Sequence, residues 1–267
     1  MNRTQLIEQI KAKRSFLCIG LDTDLTEIPS HLLEEPDPIF AFNRAIIEST
    51  RDLCVSYKIN TAFYEAEGER GWVAMRKTLD FIGRDHLVIA DAKRGDIGNT
   101  SEQYARAFFE TLSFDAITVA PYMGSDSIKP FLKWRDKWAV VLGLTSNEGA
   151  ADFELQPSGD ELLYERVLRT AAGWGTKENT MFVIGATRAE AFANVRRILP
   201  DHFLLVPGVG AQGGSLTEVY QQGSNREFGL LVNVSRAVIY ASAQADFAAK
   251  ARAAALVYQQ EMAVLLG

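Results

Sequence analysis

Short apolar runs rich in β-branched residues recur along the chain, and stretches with a helical spacing of apolar positions separate them. Runs of this kind predict buried strands, and the longer stretches between them predict helices. Eight such runs occur: FLCIGLD, CVSYKIN, HLVIADAK, DAITVAP, WAVVLGL, MFVIGA, FLLVPGV and GLLVNVS. The pattern is therefore a strand–helix unit repeated eight times.

Eight strand–helix units indicate one α/β architecture in particular. A (β/α)8 TIM barrel takes about 250 residues, whereas an open doubly wound sheet commonly stops at about five or six strands. The chain has 267 residues, and no linker or low-complexity segment divides it. We therefore predict a single TIM-barrel domain over residues 1–267.

Three stretches between the apolar runs carry a Ser or Thr followed three residues later by Glu, which is the pattern of a capping box. They are SGDE at 158–161, TRAE at 187–190 and SLTE at 215–218. Each is expected to begin a helix.

In a TIM barrel, chemistry is carried at the carboxyl ends of the strands, and residues at the amino ends serve stability. His86 and His202 precede their strands, and His31 follows the first strand in a loop or helix. We therefore expect neither a histidine metal site nor a Ser-His nucleophile. The predicted carboxyl ends carry Asp22, Lys58, Asp91, Lys93, Ser146, Gln212 and Arg236.

The charge and the cysteines narrow the class of protein. A formal charge of −6 argues against partners such as nucleic acid or an anionic membrane, since those need clustered Lys and Arg. The polar start and the short run FLCIGL lack the length of a signal peptide core or a membrane span, so we expect a cytoplasmic protein. Cys18 and Cys54 fall inside predicted strands, where buried reduced thiols are expected.

The segment VIADAKRGDIGNT, residues 88–100, ends a predicted strand with several charges. Side chains two apart on a strand point the same way, so Asp91 and Lys93 are expected to face the barrel mouth. Gly95 is expected to turn the backbone towards the next helix. Lys58 comes from the neighbouring strand, so the expected order across the mouth is Lys58, Asp91, Lys93, Asp96. Because these charges alternate in sign, both ammonium groups are expected to stay protonated. A structural ion-pair cluster is the alternative, but four charges from two strand ends favour a catalytic site.

Six motifs, taken in order, resemble the orotidine 5′-phosphate decarboxylase family, in particular its longer bacterial subgroup. DAKRGDIGNT is similar to the Asp-x-Lys-x-x-Asp signature, GLDTD to the ribose-binding segment with Asp22, and YKIN to the second-strand segment with Lys58. LTSNEG is similar to the segment with the pyrimidine-contacting serine, Ser146. PGVGAQGG resembles the phosphate-gripping loop with Gln212, and VNVSRAVIY the segment with the phosphate-binding arginine, Arg236.

The resemblance implies decarboxylation of orotidine 5′-phosphate to UMP and CO₂, the last step of de novo pyrimidine biosynthesis, with no cofactor and no metal. It makes Lys93 the proton donor to C6 and lets Lys58 orient Asp91 and the ribose. Asp91 would stand near the departing carboxylate, either repelling it or positioning Lys93.

The resemblance also implies an obligatory homodimer. The second aspartate of the signature, Asp96, would reach the neighbouring subunit's active site and complete it together with Ile97 and Thr100.

The sequence departs from the family pattern in two places. Ser235 stands where many relatives have a glycine before the arginine, so fewer backbone amides are expected around the phosphate. The segment 147–159 is expected to form an extended loop.

Two rival functions share parts of the pattern. Sugar-phosphate decarboxylases and aldol-type synthases with the same signature use Mg²⁺ and need a further carboxylate, where this chain has Lys58. A catalytically silent barrel that binds phosphorylated nucleotides would not need the complete charged set.

Overall fold

The computed structural model describes residues 1–210 and 213–267. Eight parallel strands form a closed barrel, in which each strand pairs with its neighbours in sequence and the first pairs with the last. The strands are β1 (Leu17–Gly20), β2 (Ser56–Asn60), β3 (Leu87–Arg94), β4 (Ala116–Val119), β5 (Trp138–Leu144), β6 (Thr180–Ile184), β7 (Phe203–Pro207) and β8 (Leu230–Val234). The predicted TIM barrel is confirmed.

Helices lie between the strands and cover the outside of the barrel. Because barrel strands are buried on both faces, they read as continuous apolar runs rather than as alternating ones, and β6 is buried along its whole length. The α-helices are α1 (Arg3–Lys13), α2 (Pro38–Thr50), α3 (Thr61–Glu65), α4 (Gly68–Ile82), α5 (Gly98–Arg106), α6 (Ser125–Leu132), α7 (Leu163–Ala172), α8 (Phe192–Ile198), α9 (Leu216–Gly223), α10 (Arg236–Ile239) and α11 (Phe247–Leu266).

Shorter elements interrupt this scheme. The segment predicted as an extended loop contains a 3₁₀ turn and the first strand of a small antiparallel hairpin. The short elements are the 3₁₀ turns Ser30–Glu34, Glu148–Asp152 and Ala186–Ala191, the π-helical turn Ala107–Thr111, and the hairpin of Pro157–Ser158 with Glu161–Leu162.

Only one of the three predicted helix starts is confirmed. Ser215 caps α9, and its side chain accepts a hydrogen bond from the Glu218 N–H at 3.3 Å. SGDE instead forms the hairpin turn, because Gly159 has a φ of +72° and suits a two-residue loop. TRAE lies in a 3₁₀ turn with non-helical dihedrals at Arg188, and the α-helix begins only at Phe192.

The amino ends of the strands form a structural base. The Arg3 guanidinium of α1 donates to Lys177 O, Asp201 O and Glu227 Oε2, which precede β6, β7 and β8. His86 and His202 also precede their strands, and burial next to cationic side chains lowers the pKa of each to about 4. Their predicted place at the stability end of the barrel is confirmed.

Both cysteines are buried, free thiols, as predicted. Cys18 lies in β1, whereas Cys54 lies two residues before β2 begins. Burial raises the pKa of Cys18 to about 12 and that of Cys54 to about 11, so both stay protonated at neutral pH. Across residues 1–210 and 213–267, none of the helices combines the length and the apolar content that crossing a membrane requires.

Candidate active site

Four charged side chains from the carboxyl ends of the first three strands form one chain of ion pairs. Lys58 of β2 places its Nζ 2.7 Å from Asp91 Oδ2 and 3.7 Å from Asp22 Oδ1. Lys93 Nζ donates to the other oxygen of Asp91, Oδ1, at 2.6 Å. The charges therefore alternate in the order Asp22, Lys58, Asp91, Lys93.

Burial gives the two lysines different properties. The Lys58 side chain is 6% exposed, and that of Lys93 is 49% exposed. Burial alone would lower the pKa of Lys58, but the charges of Asp22 and Asp91 outweigh it and raise this pKa above its ordinary value. Burial alone would raise the pKa of Asp91, but the two lysines outweigh it and hold this pKa well below its ordinary range. Lys58 and Asp91 are therefore both ionised at neutral pH, and Lys93 remains open to solvent.

Asp22 presents a buried acceptor. Its Oδ1 is buried and has no hydrogen-bond partner among the described residues. The backbone around it is held firmly, since Leu21 N–H donates to Lys58 O at 2.8 Å and the Tyr240 hydroxyl donates to Asp22 O at 2.9 Å. Because buried polar atoms nearly always have a partner, this oxygen is suited to accept a hydrogen bond from a ligand hydroxyl.

β3 is irregular where it carries the catalytic candidates. Ala90 pairs with Ile117 of β4 and Arg94 pairs with Val119, so residues 91–93 all face the single residue between those partners. Lys93 has a φ of +46°, a left-handed conformation that is uncommon for a residue with a side chain. Asp91 and Lys93 do meet, as predicted, but a bulge with a left-handed residue brings them together instead of regular alternation.

The turn after β3 also differs from the prediction. The left-handed residues of this segment are Lys93 and Gly98, and Gly95 does not have a positive φ. A Cβ at Gly95 would lie 3.2 Å from Ala120 O, so close packing against the neighbouring loop, rather than the turn itself, favours glycine there.

Asp96 does not join the chain of ion pairs within its own subunit. Its Oδ1 accepts a hydrogen bond from the Ile97 N–H at 2.7 Å, and the described residues form no ion pair with it. Ile97 is 58% exposed, and Thr100 is also exposed. Within one subunit the chain of ion pairs therefore runs Asp22, Lys58, Asp91, Lys93, and the place of Asp96 in the predicted order stays a prediction.

Thr118 belongs to this site, and the sequence reasoning missed it. It is the residue of β4 that faces the β3 bulge, its hydroxyl accepts from the Lys93 N–H at 2.9 Å, and it donates to Asp91 Oδ1 at 3.1 Å. The available signal was its place near the end of the run DAITVAP. This signal is weak, because a single threonine in a strand is common and usually serves packing.

The loops after β5 and β6 approach each other closely at Ser146. A Cβ on Gly185 would lie 2.9 Å from the Cβ and the backbone nitrogen of Ser146, so glycine is required at this position. The preceding residue, Thr145, donates from its N–H and its hydroxyl to the two carboxylate oxygens of Glu154, at 2.7 and 2.8 Å. Ser146 therefore lies at the carboxyl end of the barrel, as predicted, on a loop that is held on both sides.

The loop after β7 and the start of α10 form the remaining edge of the barrel mouth. The Gly210 N–H donates to Gly214 O at 3.0 Å, which ties the two sides of the glycine-rich loop together. Gln212, the residue predicted to act in this loop, lies outside the described residues. Arg236 begins α10, is exposed, and makes no ion pair or hydrogen bond through its side chain with the described residues.

Two side chains connect α10 to the loop after β1. The Ser235 hydroxyl donates to Gly20 O at 3.1 Å, and the Ser235 φ of −115° needs no glycine. The Tyr240 hydroxyl accepts from the Asp24 N–H at 2.8 Å and donates to Asp22 O at 2.9 Å. The segment with Arg236 and the segment with Asp22 are thus held at a fixed separation.

The donor set is poorly suited to a divalent cation. Within the described ranges, no group of three or more His, Cys, Asp or Glu residues is arranged to hold a metal ion. The Lys58 ammonium contacts both Asp22 and Asp91, the two carboxylates that a metal at the mouth would need.

Comparisons with known sequences agree with this geometry. The profile of the orotidine 5′-phosphate decarboxylase / HUMPS family matches residues 15–253. The orotidine 5′-phosphate decarboxylase of Flavobacterium johnsoniae is 58% identical over 100% of this chain and 98% of its own length. That of Bacteroides fragilis is 55% identical over 98% of this chain and 97% of its own length.

Solved structures give the same result. The OMP decarboxylase of Leishmania donovani superposes with a TM-score of 0.86 at 36% identity and covers 100% of this chain and 99% of that one. The UMP synthase of Leishmania donovani superposes with a TM-score of 0.88 at 38% identity over 98% of this chain. This chain spans 56% of that longer protein.

Proposed function

This chain belongs to the orotidine 5′-phosphate decarboxylase family, and on that basis we propose that it converts orotidine 5′-phosphate to UMP and CO₂ in pyrimidine biosynthesis. The observation that carries the proposal is the chain of ion pairs at the barrel mouth, which ends in the half-exposed Lys93 ammonium.

In the proposed reaction, the bond between C6 and the carboxylate carbon breaks, CO₂ leaves, and the electron pair stays on C6. This pair lies in the plane of the ring, where the pyrimidine π-system delocalises it poorly, so its stabilisation has to be electrostatic. The Lys93 ammonium provides that charge and transfers one proton to C6 to form UMP. The neutral amine then regains a proton from water, which the 49% exposure of this side chain permits.

Asp91 positions Lys93 and stands near the departing carboxylate. It accepts from Lys93 at 2.6 Å and from Lys58 at 2.7 Å, so the ammonium of the proton donor is held before substrate binds. Such preorganisation lowers the reorganisation needed in the transition state. Lys58 keeps Asp91 ionised and orients the ribose, and the buried Oδ1 of Asp22 accepts from a ribose hydroxyl.

The phosphate and the base bind at the other edge of the mouth. Arg236, exposed and without an ion pair to the described residues, binds the phosphate together with Gln212 of the glycine-rich loop. Ser146 contacts the edge of the pyrimidine from the loop after β5. Binding energy from the phosphate, remote from the breaking bond, helps to organise the site.

The enzyme acts as a homodimer in which Asp96, Ile97 and Thr100 complete the partner's site. Support comes from Asp96, which stays outside its own subunit's ion pairs, and from the exposed apolar side chains around it. Ile97 is 58% exposed and Met123 is 47% exposed, and a Cβ on Gly95 would lie 3.7 Å from Met123 Cε. Exposed apolar side chains near a functional loop are a feature of many subunit interfaces.

We also propose that the chain acts as one domain in the cytoplasm. Residues 1–267 act as one domain, supported by the packing of α11 on α2 and β1. The two buried free thiols agree with a reducing compartment, the cytoplasm.

The deciding experiment is turnover of orotidine 5′-phosphate by the purified full chain, with and without EDTA. UMP is identified by chromatography, and decarboxylation is followed by ultraviolet absorbance. We expect turnover that EDTA does not reduce. Activity that requires added Mg²⁺ would instead indicate a metal-dependent relative, and nucleotide binding without turnover would indicate a silent barrel.

A further inference from the structure

Thr118 lies opposite the irregular part of β3. Ala90 pairs with Ile117 and Arg94 with Val119, so Thr118 is the only residue of β4 between these two pairs, whereas β3 has residues 91–93 there. A bulge of this kind removes the strand partner from backbone groups, and buried backbone groups need another partner. The Lys93 N–H finds it in the Thr118 hydroxyl, at 2.9 Å.

The same hydroxyl also contacts the carboxylate that holds the Lys93 ammonium. It donates to Asp91 Oδ1 at 3.1 Å, and Lys93 Nζ donates to that oxygen at 2.6 Å. The contacts close a ring that runs from the Lys93 backbone through Thr118 and Asp91 back to the Lys93 side chain. Thr118 is 1% exposed, so solvent cannot replace its hydroxyl in this ring without rearrangement.

The backbone of Lys93 needs such support. Its φ of +46° is a conformation that a residue with a side chain avoids, and strain of this kind persists only where surrounding contacts hold it. The hydrogen bond from its N–H to the Thr118 hydroxyl acts directly on this backbone, since the nitrogen belongs to the bond whose rotation is φ.

We propose that Thr118 is a positioning residue, which holds both the left-handed backbone of Lys93 and the Asp91 carboxylate so that the ammonium is directed at the substrate. This rests on the proposed function, because it assumes that Lys93 delivers the proton. Thr118 itself touches no reacting atom. Its effect should therefore fall on kcat and leave substrate affinity nearly unchanged.

The experiment compares Thr118→Val, which removes the hydroxyl at nearly constant shape, with Thr118→Ser, which retains it. We expect Thr118→Val to lower kcat by roughly 10- to 100-fold, since small displacements of a catalytic group are costly, with KM changed by less than about threefold. Thr118→Ser should stay within about threefold of the wild type in kcat. Thr180→Val is the matched control, because Thr180 is also 1% exposed in a barrel strand but lies at the amino end. Its kcat should be that of the wild type.

A kcat for Thr118→Val within about twofold of the wild type, or equal losses in the Val and Ser variants, overturns the proposal. If Thr118→Val does not fold, Thr118→Ala against Thr118→Ser makes the same comparison of hydroxyl absent and present. Amide exchange of Lys93, measured by NMR, gives a readout independent of activity, and it should be faster in the variant without the hydroxyl. Unchanged exchange also overturns the proposal. Lack of turnover by the wild type, with the exchange result as expected, would overturn the proposed function and leave the support of Lys93 by Thr118 standing.

Discussion

Lys58 and Lys93 donate to the same carboxylate, that of Asp91, but they differ in burial. Lys58 is 6% exposed and lies between Asp22 and Asp91, whereas Lys93 is 49% exposed and, among the described residues, its ammonium forms an ion pair with Asp91. A buried ammonium between two carboxylates stays charged, because its neighbours favour the charged form. At the scale of single residues, we therefore propose Lys58 as a fixed charge and Lys93 as the proton donor.

Lys93→Ala tests the proposed role of Lys93 as proton donor. We expect a loss of at least about 3 kcal/mol of transition-state stabilisation, more than about 100-fold in kcat, because the ammonium acts where charge develops. Steady-state kinetics on orotidine 5′-phosphate measure the loss, and thermal unfolding checks that the fold survives. Lys77→Ala is the control, since Lys77 is 48% exposed and also pairs with an aspartate, at 2.9 Å. A Lys93 variant with nearly normal kcat would show that another group delivers the proton.

His86 lies at the opposite end of the barrel, and it makes the free energy of unfolding depend on pH. It is 3% exposed, its Nε2 lies 2.8 Å from Arg51 O and 2.9 Å from Lys13 Nζ, and burial lowers its pKa to about 4. Below about pH 6.5 the unfolded chain binds a proton that the folded protein does not, so stability falls as pH drops towards 4.

We therefore expect the free energy of unfolding to fall between pH 7 and pH 5, with about 1–2 kcal/mol of the decrease due to His86. His86→Gln should remove that part of the decrease, even if the variant has a different free energy of unfolding at pH 7. Urea denaturation at the two pH values measures it. The exposed His31 serves as control, and His31→Gln should keep the decrease of the wild type. An equal decrease in His86→Gln and wild type contradicts this assignment.

At the scale of elements, the strands supply the charges and the segments after them set their positions. The β3 bulge brings Lys93 back to Asp91, and Tyr240 after α10 holds the loop of Asp22 through two hydrogen bonds, of 2.8 and 2.9 Å. The start of α10 also carries Arg236. The proposed phosphate contact and ribose contact are therefore parts of one connected edge.

Arg236→Ala tests the phosphate contact. We expect kcat/KM for orotidine 5′-phosphate to fall by about 2–3 kcal/mol, the range for a lost hydrogen bond to a charged group. For an analogue that lacks the phosphate, the same variant should behave like the wild type. Arg252→Ala, at an arginine 45% exposed in an ion pair with Asp52, is the control and should change neither substrate. Equal losses on both substrates would place Arg236 in the support of the fold or of the reacting centre.

At the scale of the whole molecule, barrel closure brings the carboxyl ends of all eight strands to one mouth. For this reason Asp22 and Asp91, which are far apart in sequence, both contact the ammonium of Lys58. Asp96 is the exception, since it follows β3 directly and yet stays outside the cluster. Its proposed place is the site of the partner.

Mixed dimers test that place. Asp96→Ala and Lys93→Ala homodimers should each be nearly inactive, but a mixed dimer should contain one site with both residues intact. Random pairing after co-refolding in equal amounts makes about half of the dimers mixed, with one good site each, so roughly a quarter of wild-type activity should return. Kinetics before and after exchange measure the recovery.

A second mixture controls for the exchange itself. Asp91 and Lys93 contact each other within one subunit at 2.6 Å, so Asp91→Ala mixed with Lys93→Ala leaves a defect in every site. That mixture should recover nothing. If the Asp96 mixture also stays inactive after confirmed exchange, the shared site is wrong and Asp96 acts in its own subunit.

The sequence by itself determined the strands, the barrel and most of the charged residues of the site. Apolar periodicity and short motifs are local, so the eight strand–helix units and the residues Asp22, Lys58, Asp91 and Lys93 could be read from it. A local pattern does not decide the structure where two kinds of element favour the same residues. SGDE suits a helix cap and a hairpin turn equally, and the fold uses it as a turn.

Only the tertiary structure decided how those residues meet. The part played by Thr118 depends on the register of β3 against β4, and the left-handed backbone of Lys93 depends on the bulge that this register creates. The separation of Asp96 from the ion pairs of its own subunit also became visible only in the structure. Register and close approach arise from contacts between chain segments that are distant in sequence, and no spacing within one segment encodes them.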